Sequence, residues 1–188
     1  TFISAANVYD PNDYYQRAKA SLESVGLNLN HLILDKKPED LIGKTKVFLV
    51  GGGNTYHLLA QLKKYNLLGK IRQRVLDGAS YIGASAGANI AGPNILTTND
   101  WNMVGLKSFE GLNFVPFNIN PHYVNPHDKK VFSGESRDDR ILEYLTFYNN
   151  PVVGIEEKTF LRAENGKIQV GGQGKIKVFI KGEEPREF

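Results

Sequence analysis

The chain has 188 residues, of which 41% are hydrophobic and 23% charged, and its net charge is +3; this suits one domain over 1–188 with a real core and excludes a disordered or fibrous chain. It has no cysteine, which excludes disulfides, a thiol nucleophile and Cys-ligated metal. The basic residues are scattered, with Lys36-Lys37 and Lys63-Lys64 as pairs and no tract, so nucleic acid is not expected; no apolar run nears the roughly 20 residues of a membrane span, and without a signal-peptide pattern the default location is cytoplasmic.

In chain order, strands and helices alternate, as in an α/β protein with a mostly parallel sheet flanked by helices. Phe2-Ile3 is a short strand. Asp10-Pro11-Asn12-Asp13 supplies a helix start, and apolar spacing predicts a helix from Asp13 to Val25, stopped by Gly26. Leu29 to Leu34 is short and apolar, hence a strand. Lys46 to Val50 is a buried strand that runs into Gly51-Gly52-Gly53, after which Asn54-Thr55 caps a helix to about Lys64. A second helix is predicted over Leu67 to Asp77, then a buried strand over Ala79 to Gly83, then a helix from Ser85. Thr97 to Pro121 reads as loop and short strand. Arg137 to Tyr148 reads as an amphipathic helix with Ile141, Leu142, Leu145 and Tyr148 on one side. The tail alternates strands over 152–155, 159–162, 167–170 and 176–180, with Asn165-Gly166 at a hairpin turn. It forms a short antiparallel cover on one sheet edge.

The segment with chemistry is Gly83-Ala84-Ser85-Ala86-Gly87, a G-x-S-x-G pattern between a strand and a helix. A sharp turn there lifts the Ser85 hydroxyl above the sheet, and the residues two before and two after must be small to avoid collision. Backbone N–H groups at the start of the helix face the same spot and can hold an oxyanion, the Ala86 N–H first among them. Serine needs a base. His31 and His57 lie in predicted regular elements and read as structural or surface residues. His122 and His127 lie in a proline-rich stretch whose spacing of five and prolines exclude a helical zinc pair. His122 follows a strand end and is the candidate base. For the acid that orients it, Asp100 gives the order Ser, Asp, His; Asp128 and Glu135 are alternatives by position. Gly51-Gly52-Gly53 lacks a phosphate-loop ending, and is read as a close approach to the reaction centre. An N–H of Gly52 or Gly53 would be the second oxyanion donor.

Together these segments resemble the dipeptidase E group, the α-aspartyl dipeptidases of serine peptidase family S51. The matching motifs are Val50-Gly51-Gly52-Gly53-Asn54-Thr55, Gly83 to Asn89, Thr97-Thr98-Asn99-Asp100, Ile119-Asn120-Pro121-His122-Tyr123, Gly134 to Ile141 and Val178 to Pro185. The resemblance runs over nearly the whole chain. It implies a class I glutamine-amidotransferase-like fold, with Ser85 as nucleophile, His122 as base and Asp100 as orienting acid. It implies removal of N-terminal aspartate from dipeptides without metal or cofactor, with Arg137 gripping the substrate's side-chain carboxylate through paired hydrogen bonds. Asn89, in the nucleophile motif, is expected to join Arg137 in substrate binding. The partner expected is a small Asp-Xaa peptide, with no nucleic acid and no membrane; a homodimer is compatible with the sequence.

Two departures stand out. Family members commonly carry a further strand and helix before the position of Thr1, so the resemblance implies that this sequence lacks them. Trp101-Asn102 stands where the family commonly has Met-Pro. Two other readings remain open at this point: a cyanophycinase-like hydrolase of β-aspartyl linkages, and a non-catalytic binding relative on the same scaffold. A glutamine amidotransferase is not expected, because that chemistry on this scaffold uses cysteine and this sequence has none.

Overall fold

The computed structural model describes residues 1–124 and 135–188. Its first half is a parallel three-stranded sheet of β1 (Phe2–Ile3), β2 (Val47–Val50) and β3 (Ser80–Gly83), in that order. The connections carry helices: α1 (Pro11–Glu23) and α2 (Glu39–Lys44) before β2, then α3 (Thr55–Lys64) and α4 (Leu68–Leu76) before β3. Parallel neighbours need a long crossover connection, usually a helix, to return the chain. Asp10 caps α1 by accepting the Asp13 N–H, with Pro11 in the first turn, and Asn54 caps α3 by accepting the His57 N–H. Phe48, Leu58, Leu59, Leu62, Leu67 and Ile71 are fully buried and fill the space between this sheet and its helices. Each such side chain stabilises the fold by about 1.5–3 kcal/mol relative to exposure.

After β3 the chain turns into the short α5 (Ala86–Asn89), which packs against β2, β3 and β4 (Asn118–Pro121). β4 opens a second sheet. It pairs parallel with β5 (Val152–Ile155), which continues antiparallel to β8 (Ile176–Phe179) and β9 (Arg186–Glu187). α6 (Arg137–Phe147) covers this sheet through Ile141, Tyr144 and Leu145, which join Tyr123, Val152 and Phe179 in one cluster. β6 (Thr159–Glu164) and β7 (Lys167–Gly172) form a separate hairpin. Asn165 and Gly166 both take positive φ at its tip, the backbone that a two-residue turn of this twist requires.

Four expectations need correction. Among the described residues the strands form two larger sheets and a hairpin, because β4 pairs with β5 and not with β3, with α5 between them. Leu29 to Leu34 is not a strand: only His31 bridges to Phe2, and the chain turns away at Leu34. β3 is half-exposed, with Ile82 on the surface, since it is the outer strand of its sheet. On α6 the apolar face runs through Tyr144, and Leu142 and Tyr148 are exposed. Among the described residues no helix is long and apolar enough to cross a membrane.

Candidate active site

Ser85 stands at the strand-to-helix turn, directly before α5, with φ +53° and ψ −111°. A non-glycine residue there is strained, at a cost of about 1–3 kcal/mol, and such strain persists where surrounding packing enforces it. The flanking glycines show the packing. A Cβ on Gly83 would lie 2.4 Å from the Gly87 carbonyl oxygen, and one on Gly87 would lie 2.3 Å from the Val50 carbonyl oxygen. The turn therefore closes only with glycine at both positions, as the motif implied.

The parallel register of β2 and β3 sets Val50 beside Gly83. Gly51-Gly52-Gly53, next after β2, and Ala84-Ser85, next after β3, therefore emerge at the same end of the sheet. A Cβ on Gly52 would lie 3.0 Å from the Ser85 Cβ and 3.5 Å from its Oγ. Gly53 takes φ +137°, and a Cβ there would lie 2.2 Å from the Ala6 carbonyl oxygen. The triplet is a close approach to Ser85, as its composition suggested. Its donors differ from the expectation in one respect: the Gly52 N–H donates to the Tyr14 hydroxyl at 3.0 Å. The N–H groups of Gly53 and Ala86 have no acceptor among the described residues.

His122 lies one residue past β4, also at positive φ (+57°). Its Nε2 is 2.8 Å from the Ser85 Oγ, and its Nδ1 bonds the carboxylate of Glu157. A carboxylate only accepts, so Nδ1 carries the proton and Nε2 accepts the Ser85 O–H. Glu157 takes the place expected for Asp100. The Asp100 Oδ2 instead accepts the Thr55 N–H at 2.7 Å and the Thr98 hydroxyl at 3.1 Å, and makes no bond to His122. Glu135, the alternative acid, pairs with Arg140; His127 and Asp128 lie outside the described residues. The cause is the register of β4 and β5. Pro121 pairs with Ile155 in parallel, so His122 and the turn Glu156-Glu157 leave the sheet side by side. Functional groups at the carboxyl ends of parallel strands are the rule in α/β sheets. The signal open to sequence reading was an acid two residues beyond a strand that pairs with the strand before His122.

Asn89 is also corrected. It is 3% exposed, and its amide donates to the hydroxyls of Thr55 and Thr98. It braces α5 against α3 and the Asp100 turn, and its burial leaves almost none of it open to the surface. Asn120 similarly donates to the Thr97 carbonyl and to the Asn99 side chain, while Asn99 donates to the Pro121 carbonyl. The turn bearing Asp100 is thereby tied to β4, the strand that ends just before His122.

Arg137 opens α6, whose start is fixed by a capping box between Ser136 and Asp139. Its guanidinium is half-buried and has no hydrogen bond or ion pair among the described residues. Burial, then the charge of Arg140, pulls its pKa down, while Asp100 opposes them. A partly desolvated cation without a hydrogen bond or ion pair among the described residues favours an incoming carboxylate. The next residue, Asp138, accepts the Tyr123 hydroxyl and pairs at 2.7 Å with Lys177, which is 8% exposed. Tyr123 follows His122 and Asp138 follows Arg137, so one buried network clamps both. Among the described residues no three His, Asp or Glu side chains are arranged to hold a metal ion. A cleft of about 340 Å³ beside the site is lined by Thr98, Asn99, Asn120, Arg140 and Tyr144, but by neither Ser85 nor His122.

The family model of peptidase family S51 matches residues 1–171. The chain belongs to that family. It is a serine-type peptidase, a hydrolase of peptide bonds. It is 38% identical to a peptidase E from Nostoc sp. over all of this chain and 78% of that protein. It is 36% identical to a peptidase E from Streptomyces coelicolor over 95% of this chain and 74% of that one. A Drosophila melanogaster protein named "Probable alpha-aspartyl dipeptidase" is 38% identical over 90% of this chain and 71% of its own. A solved structure from Listeria monocytogenes, described as a peptidase E protein, superposes with a TM-score of 0.74 at 27% identity, over 93% of this chain and 85% of that one. The resemblance first read from the motifs is thus to the family in which the chain falls, and its mixed α/β architecture is that of the solved relatives.

Proposed function

We propose that this S51 peptidase is an α-aspartyl dipeptidase on a class I glutamine-amidotransferase-like scaffold, releasing N-terminal aspartate from small Asp-Xaa peptides. The observation that carries the aspartate reading is the half-buried Arg137 guanidinium, unpaired among the described residues. It takes the substrate's side-chain carboxylate through two parallel hydrogen bonds. His122 takes the Ser85 proton as Ser85 Oγ attacks the peptide carbonyl, and Glu157 stabilises the imidazolium. The N–H groups of Gly53 and Ala86 hold the oxyanion. His122 then protonates the leaving amine, and water, deprotonated by His122, releases aspartate from the acyl-enzyme.

The test is incubation of the protein with Asp-Leu, Glu-Leu, Leu-Asp and Ala-Leu, with Ser85→Ala as control. Leucine released from Asp-Leu alone, and lost in the variant, supports the reading. Cleavage of Ala-Leu at an equal rate would sink the aspartate claim. Cleavage of β-Asp-Arg in place of Asp-Leu would move the reading to β-aspartyl linkages.

A further inference from the structure

Tyr14 stands on the first turns of α1, and nothing in the reading of the sequence assigns it a role. Its ring covers Gly51: a Cβ there would lie 2.7 Å from the Tyr14 Cε1 and 2.8 Å from its hydroxyl oxygen. The edge of Phe2 holds the ring at a centroid distance of 5.3 Å. The Arg17 guanidinium sits 5.9 Å from its centroid. The hydroxyl oxygen accepts the N–H of Gly52, the residue whose added Cβ would meet both the Cβ and the Oγ of Ser85. The hydroxyl proton itself is donated to no group among the described residues.

This arrangement divides the work of the glycine loop. The Gly52 amide, spent on Tyr14, is not a free donor. By donating into the phenol oxygen it polarises the O–H, because a hydrogen bond accepted by a hydroxyl strengthens the one it donates. The result is an O–H donor held on Gly52, whose Cα faces Ser85, and without an acceptor among the described residues. We propose that Tyr14 is a catalytic residue: its hydroxyl donates a hydrogen bond to the oxygen that gains negative charge when Ser85 attacks, beside the amides of Gly53 and Ala86. No proton is transferred, and Tyr14 stays a phenol throughout. The inference rests on the serine-peptidase mechanism proposed above.

The experiment compares the full chain, Tyr14→Phe and Ser85→Ala in two reactions. One is release of nitrophenolate from a 4-nitrophenyl phosphonate ester, which reports attack by Ser85 without any aspartate requirement. The other is hydrolysis of Asp-Leu. Tyr14→Phe keeps the ring and loses only the acceptor of the Gly52 N–H, so the melting temperature should fall by no more than a few degrees. Both the phosphonylation rate and the kcat should fall by about 10²–10³-fold, the usual cost of one oxyanion donor, with KM little changed. Equal rates in the two proteins would overturn the proposal, and a faster Tyr14→Phe would show that the hydroxyl merely blocks the site. A slower variant with a melting temperature lowered by more than that and a raised KM would also overturn it, marking Tyr14 as structural. If the unmodified protein reacts no faster than Ser85→Ala, the serine mechanism falls and takes this inference with it; if only Tyr14→Phe behaves as wild type, Tyr14 alone is wrong.

Discussion

The Oγ of Ser85 and the Nε2 of His122 lie 2.8 Å apart across 37 residues of chain. Both residues hold positive φ. Two strained backbones are thus aimed at one another, each at the end of a strand in a different sheet. Strain of this sort is retained where packing dictates it, and it cannot relax without moving the hydrogen bond.

Glu157 and Asp100 are separable by kinetics. Glu157→Gln should lower the kcat for Asp-Leu by up to about 10⁴-fold, as an acid-to-amide change at this position can select the wrong imidazole tautomer. Asp100→Asn should keep Ser85 reactive toward the phosphonate ester, because Asp100 bonds Thr55 and Thr98 and not the base. Loss of phosphonate reactivity in Asp100→Asn, with Glu157→Gln unaffected, would return the orienting role to Asp100.

Arg137→Ala should raise KM for Asp-Leu by about 10–10²-fold, the size of one or two lost charge-assisted hydrogen bonds. The melting temperature should not fall, since the guanidinium has no partner among the described residues. Steady-state kinetics with thermal melting checks both; an unchanged KM rules out the carboxylate role.

The glycine triplet should respond position by position. Gly52→Ala pushes a methyl to 3.0 Å from the Ser85 Cβ. The protein should fold, with a kcat lowered by about 10²-fold through displacement of the nucleophile. Gly53→Ala meets both a carbonyl at 2.2 Å and a φ of +137°. It should lose at least about 1–3 kcal/mol of stability from the backbone alone. Urea unfolding of the two variants distinguishes these outcomes.

The buried pair Lys177–Asp138 predicts an asymmetry. Lys177→Met leaves Asp138 and the Tyr123 hydroxyl without their cation, and should destabilise the fold by about 3 kcal/mol. Adding Asp138→Asn should restore much of the loss, because the uncompensated charge is gone. Denaturant midpoints of the single and double variants measure the coupling; equal losses that add would argue against the network.

Stability should also fall as the solution is acidified from about pH 7 to pH 5. Burial holds the pKa values of His31 and His57 below the ordinary value. The unfolded chain therefore takes up these protons first, near pH 6.5, and the folded state loses ground as pH drops through that window. His31 is held by stacking on Tyr15 at 4.2 Å and by a 2.8 Å bond to Ser4. Replacing both histidines with Gln should flatten the melting temperature against pH over this range. An unchanged slope would place the acid sensitivity elsewhere.

Much of this protein is local. The strand–turn–helix around Ser85, the caps at Asn54 and Ser136, and the Asn165-Gly166 turn follow from near neighbours, because sterics and hydrogen bonds within a few residues leave one solution. His122 was legible for a similar reason, as a histidine just after a short strand and next to proline. Glu157 was not. Nothing in Glu156-Glu157-Lys158 distinguishes it from a solvated turn, and chain order favoured Asp100. Strand register alone brings Ile155 beside Pro121 and so sets Glu157 against the base. Tyr14 and the Asp138–Lys177 pair were invisible for the same reason: their partners lie 38 and 39 residues away. The sequence by itself determined the strand–turn–helix at Ser85, the place of His122 just after a strand, and the family; only tertiary packing decided that Glu157 meets His122, which loop amides are without acceptors among the described residues, and the clamp behind Arg137, because those depend on which distant strands pair.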